Sequence, residues 1–123
     1  MAKSIRCVTY EQKHRDIVES GIDAISFALY NGTTHEKASI LLCLDRYLDP
    51  YYGYQLKYKS EIIILLQNIL LENNDIEIKE DILDLLQYYG DQPLYILEAN
   101  IDKLPTALAK QARYILYDED YDD

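Results

Sequence analysis

Apolar residues recur at helical spacing through nearly the whole chain, and nowhere does a clean alternation of apolar and polar positions persist. Thr9-Tyr10-Glu11-Gln12 fits a Thr-x-x-Gln capping pattern, and behind it Ile17, Val18, Gly21, Ile22, Ile25, Ala28 and Leu29 share one face, predicting a first helix to about Tyr30. Asn31-Gly32 stops it. Thr33-x-x-Glu36 is a second capping box, opening a helix that turns Ile40, Leu41, Leu44, Tyr47 and Leu48 inward and ends near Asp49-Pro50. From Ser60 to Glu72 apolar residues surround most of the circumference, so that helix is expected to be packed on both sides, although its Ile62-Ile63-Ile64 run also reads as a buried strand. Asn74 and Asp75 are the expected caps of a fourth helix, with Ile78, Ile82, Leu85, Leu86 and Tyr89 inward and Gly90 as its stop. Pro93 restarts the chain in a short helix carrying Leu94, Leu97 and Ile101. Pro105 then introduces a last helix with Leu108, Ala112, Ile115 and Leu116 inward, which runs into a frayed or partly ordered acidic end over residues 118–123. The expected fold is all-α: one domain over residues 1–123, with five or six helices whose short loops make neighbours antiparallel.

Two of these helices resemble each other. Residues 40–49 and 82–91 agree at Ile40 and Ile82, Leu41 and Leu83, Leu44 and Leu86, Tyr47 and Tyr89, and Asp49 and Asp91, an offset of 42 residues. That spacing falls in the range of HEAT and armadillo repeats, so the expected architecture is a HEAT/armadillo-like helical array or else an irregular bundle. Such arrays are scaffolds that present a surface, which points to binding before chemistry.

Composition narrows the possible partners. The chain carries a net charge of −10, divided unevenly: residues 1–60 hold eight Lys or Arg against seven Asp or Glu, and residues 61–123 hold four against fifteen. Direct binding to nucleic acid is therefore not expected, because it draws affinity from clustered cations that displace counterions. A basic protein is the natural complement, although acidity also serves solubility. The longest purely apolar run, Ile62 to Leu66, is far too short to cross a bilayer, no apolar signal core opens the sequence, and Cys7 and Cys43 show neither metal spacing nor a disulfide framework. A soluble protein of the reducing cytoplasm is expected, with Cys43 a small core residue.

Candidate chemistry is sparse. His14 and His35 have no cysteine or second histidine at metal-ligand spacing, and phosphate-cradling, zinc-protease and nucleophile-elbow motifs do not occur. Asp118, Glu119 and Asp120 suggest calcium only superficially, since an EF-hand loop also needs a glycine at its sixth and a glutamate at its twelfth position. Neither an enzyme nor a metal or cofactor is expected.

The sharper constellation lies on the fourth predicted helix. At about 100° per residue, Glu77, Glu80, Asp81, Asp84, Tyr88 and Asp91 fall within an arc of about 100° opposite the apolar stripe. Carboxylates so placed repel by roughly 0.2–0.5 kcal/mol per i,i+3 or i,i+4 pair, and only Lys79 lies nearby in sequence to offset them. A solvated face with acids near a helix N-terminus accounts for Glu77 and Glu80, and less well for Asp84 and Asp91. Thirteen tyrosines, no tryptophan and one phenylalanine add a second signal, concentrated at Tyr47, Tyr51, Tyr52, Tyr54 and Tyr58. Tyr47 reads as core. Tyr51, Tyr52 and Tyr54, in the linker, suit a site exposed when free and buried when bound.

With its 42-residue offset, the stripe of Glu77, Glu80, Asp81 and Asp84, the tyrosine-rich linker and the acidic end from Asp118 to Asp123, the chain resembles a family. It is similar to the small, acidic, all-α immunity proteins that bacteria encode beside secreted or contact-delivered toxins, some built from HEAT-like helix pairs. The resemblance implies that the chain binds and neutralises a cognate basic toxin, of nuclease type, by covering its active site. It transfers no individual contact residue. An adaptor or regulatory scaffold without inhibitory activity is the main alternative, and a mimic of DNA is a further one.

Overall fold

A computed structural model describes residues 8–118, so Cys7, Glu119 and Asp120 lie outside the described residues. These residues form seven α-helices and two single turns of 3-10 helix, with no strand among them. The helices are α1 (Gln12–Ser20), α2 (Ile22–Asn31), α3 (Thr34–Leu48), α4 (Lys59–Leu70), α5 (Ile76–Tyr89), α6 (Tyr95–Ala99) and α7 (Thr106–Tyr117), with 3-10 turns at Pro50–Tyr52 and Ile101–Lys103. The Ile62-Ile63-Ile64 run is helical, as its flanks indicated.

The expected first helix is two helices. Gly21 sits at φ 113°, ψ −177°, a conformation that L side chains rarely adopt, so it ends α1 and starts α2 in one step. Its position in the inward stripe disguised a break as a small core residue. The first cap also differs. Glu11, not Thr9, is the N-cap of α1, and its partner is His14, whose Nδ1 accepts from the Glu11 N–H at 2.9 Å. At α3 half of the expected box forms: Thr33 Oγ1 accepts from the Glu36 N–H at 3.1 Å, while the Glu36 carboxylate turns to His14 and Lys13.

Packing sorts the helices into two layers. On one side α1 packs on α3, α3 on α5 and α5 on α7; on the other α2 packs on α4 and α4 on α6. Contacts of α2 with α3, and of α4 with α5, join the layers. Side-chain bonds tie the first layer at both ends. His14, buried in the first turns of α1, meets Glu36 at 3.0 Å in the first turn of α3, while Tyr47 near the end of α3 donates to Glu19 near the end of α1. One seam further on, Thr34 donates to Asp75 at 3.0 Å where α3 and α5 begin, and Tyr89 donates to Asp45 at 2.6 Å where they finish. Starts meet starts and ends meet ends, so α1, α3 and α5 run parallel within their layer. The two residues joining α2 to α3, and the five joining α4 to α5, reverse the chain between packed helices, making α2 and α4 the return helices. This is a two-layer helical array, and the 42-residue offset relates α3 to α5, neighbours in the same layer.

The core lies between the layers. Ile25 and Leu29 of α2, Ile40, Leu41 and Leu44 of α3, six apolar residues of α4 and Ile78, Ile82 and Leu86 of α5 are buried, joined by Leu97, Leu108 and Ala112. Helix α4 is covered on both flanks as expected, by α2, α5 and α6, although Ile64 remains exposed. Cys43 is fully buried, and burial pushes its thiol up to about 11, as suits a core residue. Gln67 is the polar exception on α4. Its amide donates to the Ile63 carbonyl at 3.3 Å and its oxygen accepts from the Leu97 N–H at 2.9 Å, so one side chain of α4 caps α6 from the side.

Gln67→Met is expected to lower stability by about 1–3 kcal/mol, because it strands a buried N–H at nearly constant volume; chemical denaturation measures this. A second expectation concerns pH. The hydrogen bond from His14 holds the Glu36 carboxyl below its ordinary value of 4.5, with Lys13 at 3.4 Å a further cause. A depressed folded value stabilises above the ordinary value and is lost as pH falls through the folded one. The wild type should therefore lose stability more steeply than Glu36→Gln below about pH 5, read as the difference between their denaturation midpoints.

Candidate functional site

Between α3 and α5 the first layer carries an open groove of about 280 Å³. Val8, Ala38, Leu41, Leu42 and Leu85 supply its apolar surfaces, Asp45, Asp81 and Asp84 its carboxylates, and Tyr88 also lines it. Local periodicity explains the set. Ala38, Leu41, Leu42 and Asp45 lie one turn apart along α3, and Asp81, Asp84, Leu85 and Tyr88 do the same along α5. On its far side Tyr88 also lines a second concavity, of about 450 Å³, with Leu86, Gln87 and Gly90 and with Tyr114, Ile115 and Asp118 of the α7 end. Tyr88 is 74% exposed and stands between the two hollows, with its ring centroid 6.4 Å from that of Tyr89.

The expected acidic face is thus not a plain solvated surface. Glu77, Glu80, Asp81 and Asp84 are half-buried, and Asp84 accepts from Gln111 of α7 at 2.9 Å, so α5 turns this side toward seams with both neighbours. Asp91 belongs elsewhere: beyond the Gly90 cap it pairs with Lys59 of α4 at 3.3 Å, tying the end of α5 to the other layer. Asp118 ends α7 in the left-handed conformation at φ 56°. Asp75 is the N-cap residue of α5, but its carboxylate bonds Thr34 rather than its own helix, and Asn74 accepts from Lys37 at 2.6 Å.

The linker tyrosines divide. Tyr54 stacks on Tyr47 with centroids 4.3 Å apart and accepts from Arg15 at 3.2 Å, while Tyr58 donates to the Val18 carbonyl. These rings fasten the linker to α1 and α3. Tyr52 lies under the Arg46 guanidinium at 4.4 Å, and Tyr51, 87% exposed, meets it edge-on at 5.2 Å. Tyr47 is buried, as expected of core. Burial, and then the bond to Glu19, pushes its phenol up to about 12; burial and Asp45 likewise raise Tyr89. Both therefore stay protonated donors at neutral pH and add no negative charge to the α3–α5 face.

Sequence reasoning missed His14, Gln67 and the Arg15–Glu19–Tyr47–Tyr54 cluster. Each makes bonds 22 to 39 residues away in sequence, where no local pattern announces them. Among the described residues no group of three or more His, Cys, Asp or Glu could hold a metal ion, and no helix is long and apolar enough to cross a membrane. Comparison with protein-family models, with curated proteins and with solved structures finds no match to this chain.

Two neighbouring tyrosines should behave in opposite ways. Tyr89→Phe removes the clasp on Asp45 and is expected to cost about 1 kcal/mol, discounted for partial exposure, whereas Tyr88→Ala should stay within about 0.5 kcal/mol of wild type. Paired denaturation curves measure both.

Proposed function

We propose that this chain is a protein-binding module that engages a basic partner through the α3–α5–α7 face, and that it acts as an immunity protein, neutralising a basic, nuclease-type toxin. One observation carries the binding reading: a single groove unites an apolar floor, three carboxylates and an exposed tyrosine at its edge. Apolar floor and aromatic supply contact energy, and the carboxylates supply attraction at a distance. A charge of −11 over residues 61–123, four cations against fifteen anions, adds to that field.

The mechanism is occlusion. Carboxylates at the groove take the place of substrate phosphates in the partner's positive cleft, while Tyr88 and the exposed Tyr51 and Tyr52 seal the contact against water. Two features of the sequence support the toxin-directed form of this reading: the 42-residue repeat, and the acidic stripe it carries in its second copy.

Simultaneous replacement of Glu80, Asp81 and Asp84 by Lys is expected to slow association with the partner at least about tenfold at low salt and to flatten its salt dependence. Stopped-flow mixing over a salt series measures this, with the product of the gene adjoining that of this chain as the first partner to test. An unchanged rate at low salt would move the site off α5. Growth rescue separates an inhibitor from an adaptor: an immunity protein protects cells expressing that toxin, and an adaptor binds without protecting.

A further inference from the structure

We infer that the outer face of the second layer joins two copies of this chain in a twofold dimer, with α2, α4 and α6 of one copy lying antiparallel to the same helices of the other. Exposed apolar side chains mark the face. Phe27, the chain's one phenylalanine, is 70% exposed, Tyr95 is 71% exposed, and Ile64 is 45% exposed although its neighbours Ile63 and Leu65 are buried. Ile25 and Leu29, on either side of Phe27 in sequence, are buried, so the Phe27 ring points away from the core. The three lie at one level. Tyr58 reaches the Val18 carbonyl, which brings the start of α4 to the start of α2, and Phe27 and Ile64 each stand five residues beyond those starts. Gln92 donates to the Ser60 carbonyl and the Leu97 N–H to Gln67, so residues 92–97 run alongside residues 60–67 and set Tyr95 level with Ile64.

Charge selects the occupant. Helices α2, α4 and α6 together carry four charged residues, Asp23, Lys59, Glu61 and Glu98, fewer than the five on α5 alone, so two copies of an acidic chain meet here with least repulsion. Contacts between identical chains are likewise poor in charge and rich in aromatic residues. The polar residues then fix the arrangement, because a twofold contact needs a surface that complements itself. Asp23 lies four residues before Phe27 and Asn31 four after; Glu61 lies three before Ile64 and Asn68 four after; Gln92 lies three before Tyr95 and Glu98 three after. A twofold axis running across the layer at the level of Phe27, Ile64 and Tyr95 therefore brings each acid over an amide of the other copy and each apolar side chain over its own counterpart. An axis along the helices would instead set Glu61 against Glu61. Asn31, Asn68 and Gln92 each spend an amide N–H on a backbone carbonyl, of Phe27, Ile64 and Ser60, and the second N–H of each amide remains to donate. Glu98 accepts from Tyr117 at 3.3 Å and keeps further acceptor positions. With α4 about 18 Å long and neighbouring axes about 8–10 Å apart, the face covers on the order of 500 Å² in projection, which suits a weak, reversible dimer. The first-layer face stays free for the basic partner, so failure of either reading leaves the other standing.

Sedimentation equilibrium of the full chain at about 0.15 M salt is expected to show a reversible monomer–dimer equilibrium, with dimer predominant at about 1 mM and monomer below about 10 µM. Ile64→Glu, at an exposed position on the axis, should abolish the dimer and leave the thermal melt unchanged, and Phe27→Ser, on a different helix, should do the same. Asn31→Asp sets like charges opposite each other at Asp23 and should weaken dimerisation at least about tenfold, whereas Asn31→Lys should strengthen it by a similar factor at low salt. A chain that stays monomeric to about 1 mM overturns the inference. A dimer that survives both Ile64→Glu and Phe27→Ser, or is lost instead to Leu42→Lys in α3, overturns the choice of face. One that Ile64→Glu abolishes but neither Asn31 variant alters overturns the antiparallel arrangement.

Discussion

The phenol–carboxylate bond between neighbouring helices of the first layer sets the register on which the rest of the array depends. Tyr47 and Tyr89, 42 residues apart, each donate to an acid on the preceding helix of their layer, Glu19 and Asp45 respectively. A buried or half-buried phenol needs a partner, and a carboxylate accepting from it makes a stronger bond than a neutral group would. Apolar packing alone tolerates sliding of one helix along another, because it lacks direction. These bonds do not. With His14–Glu36 and Thr34–Asp75 at the opposite ends, each seam is fixed at two points and the helices cannot shift by a turn.

That double fastening also shapes the groove. Between Thr34–Asp75 and Asp45–Tyr89 the middle of the α3–α5 seam meets solvent, and Ala38, the smallest of the lining side chains on α3, leaves space there. The second layer supports the first: α4 is buried by α2, α5 and α6, and Gln67 within it holds α6 by the Leu97 N–H. A surface held by buried apolar contacts beneath and by side-chain bonds at both ends is pre-organised, which reduces the ordering cost of binding.

Helix identity and the inward residues were legible in the sequence because period and caps are local properties, and Ile40, Leu44, Ile78, Ile82 and Leu86 are all buried where periodicity put them. Gly21 was not legible as a break: its spacing matched the apolar stripe, and its positive φ is a backbone property that the residue permits without announcing. Nor were the partners of the polar groups. Asp91 fell on the acidic arc by angle, yet the helix ends at Gly90 and the chain turns toward Lys59, so helical projection ceased to apply. Tyr54 is exposed, as its place in the linker indicated, but its stacking on Tyr47 was not legible, because that partner lies outside any local pattern.

The two seams of the first layer contrast in what covers their ends. They share one design, an acid on the preceding helix and a tyrosine on the following one, so their common positions serve folding. At the α1–α3 seam the linker settles over the end: Tyr54 covers Tyr47, Arg15 bonds both hydroxyls, and Tyr58 reaches the Val18 carbonyl. At the α3–α5 seam the corresponding tyrosine, Tyr89, has the exposed Tyr88 beside it, and Leu42 and Arg46 of α3 are replaced on α5 by Asp84 and Tyr88. Asp84 and Tyr88 lie in the groove, and Leu42 opposes them from the other wall. The acids also serve the fold, Asp45 accepting from Tyr89 and Asp84 from Gln111, whereas the exposed ring of Tyr88 gains little from water. The divergent positions of the repeat, rather than its matching ones, thus give the α3–α5 seam a surface that the α1–α3 seam lacks, and the proposed contact with a partner draws on them.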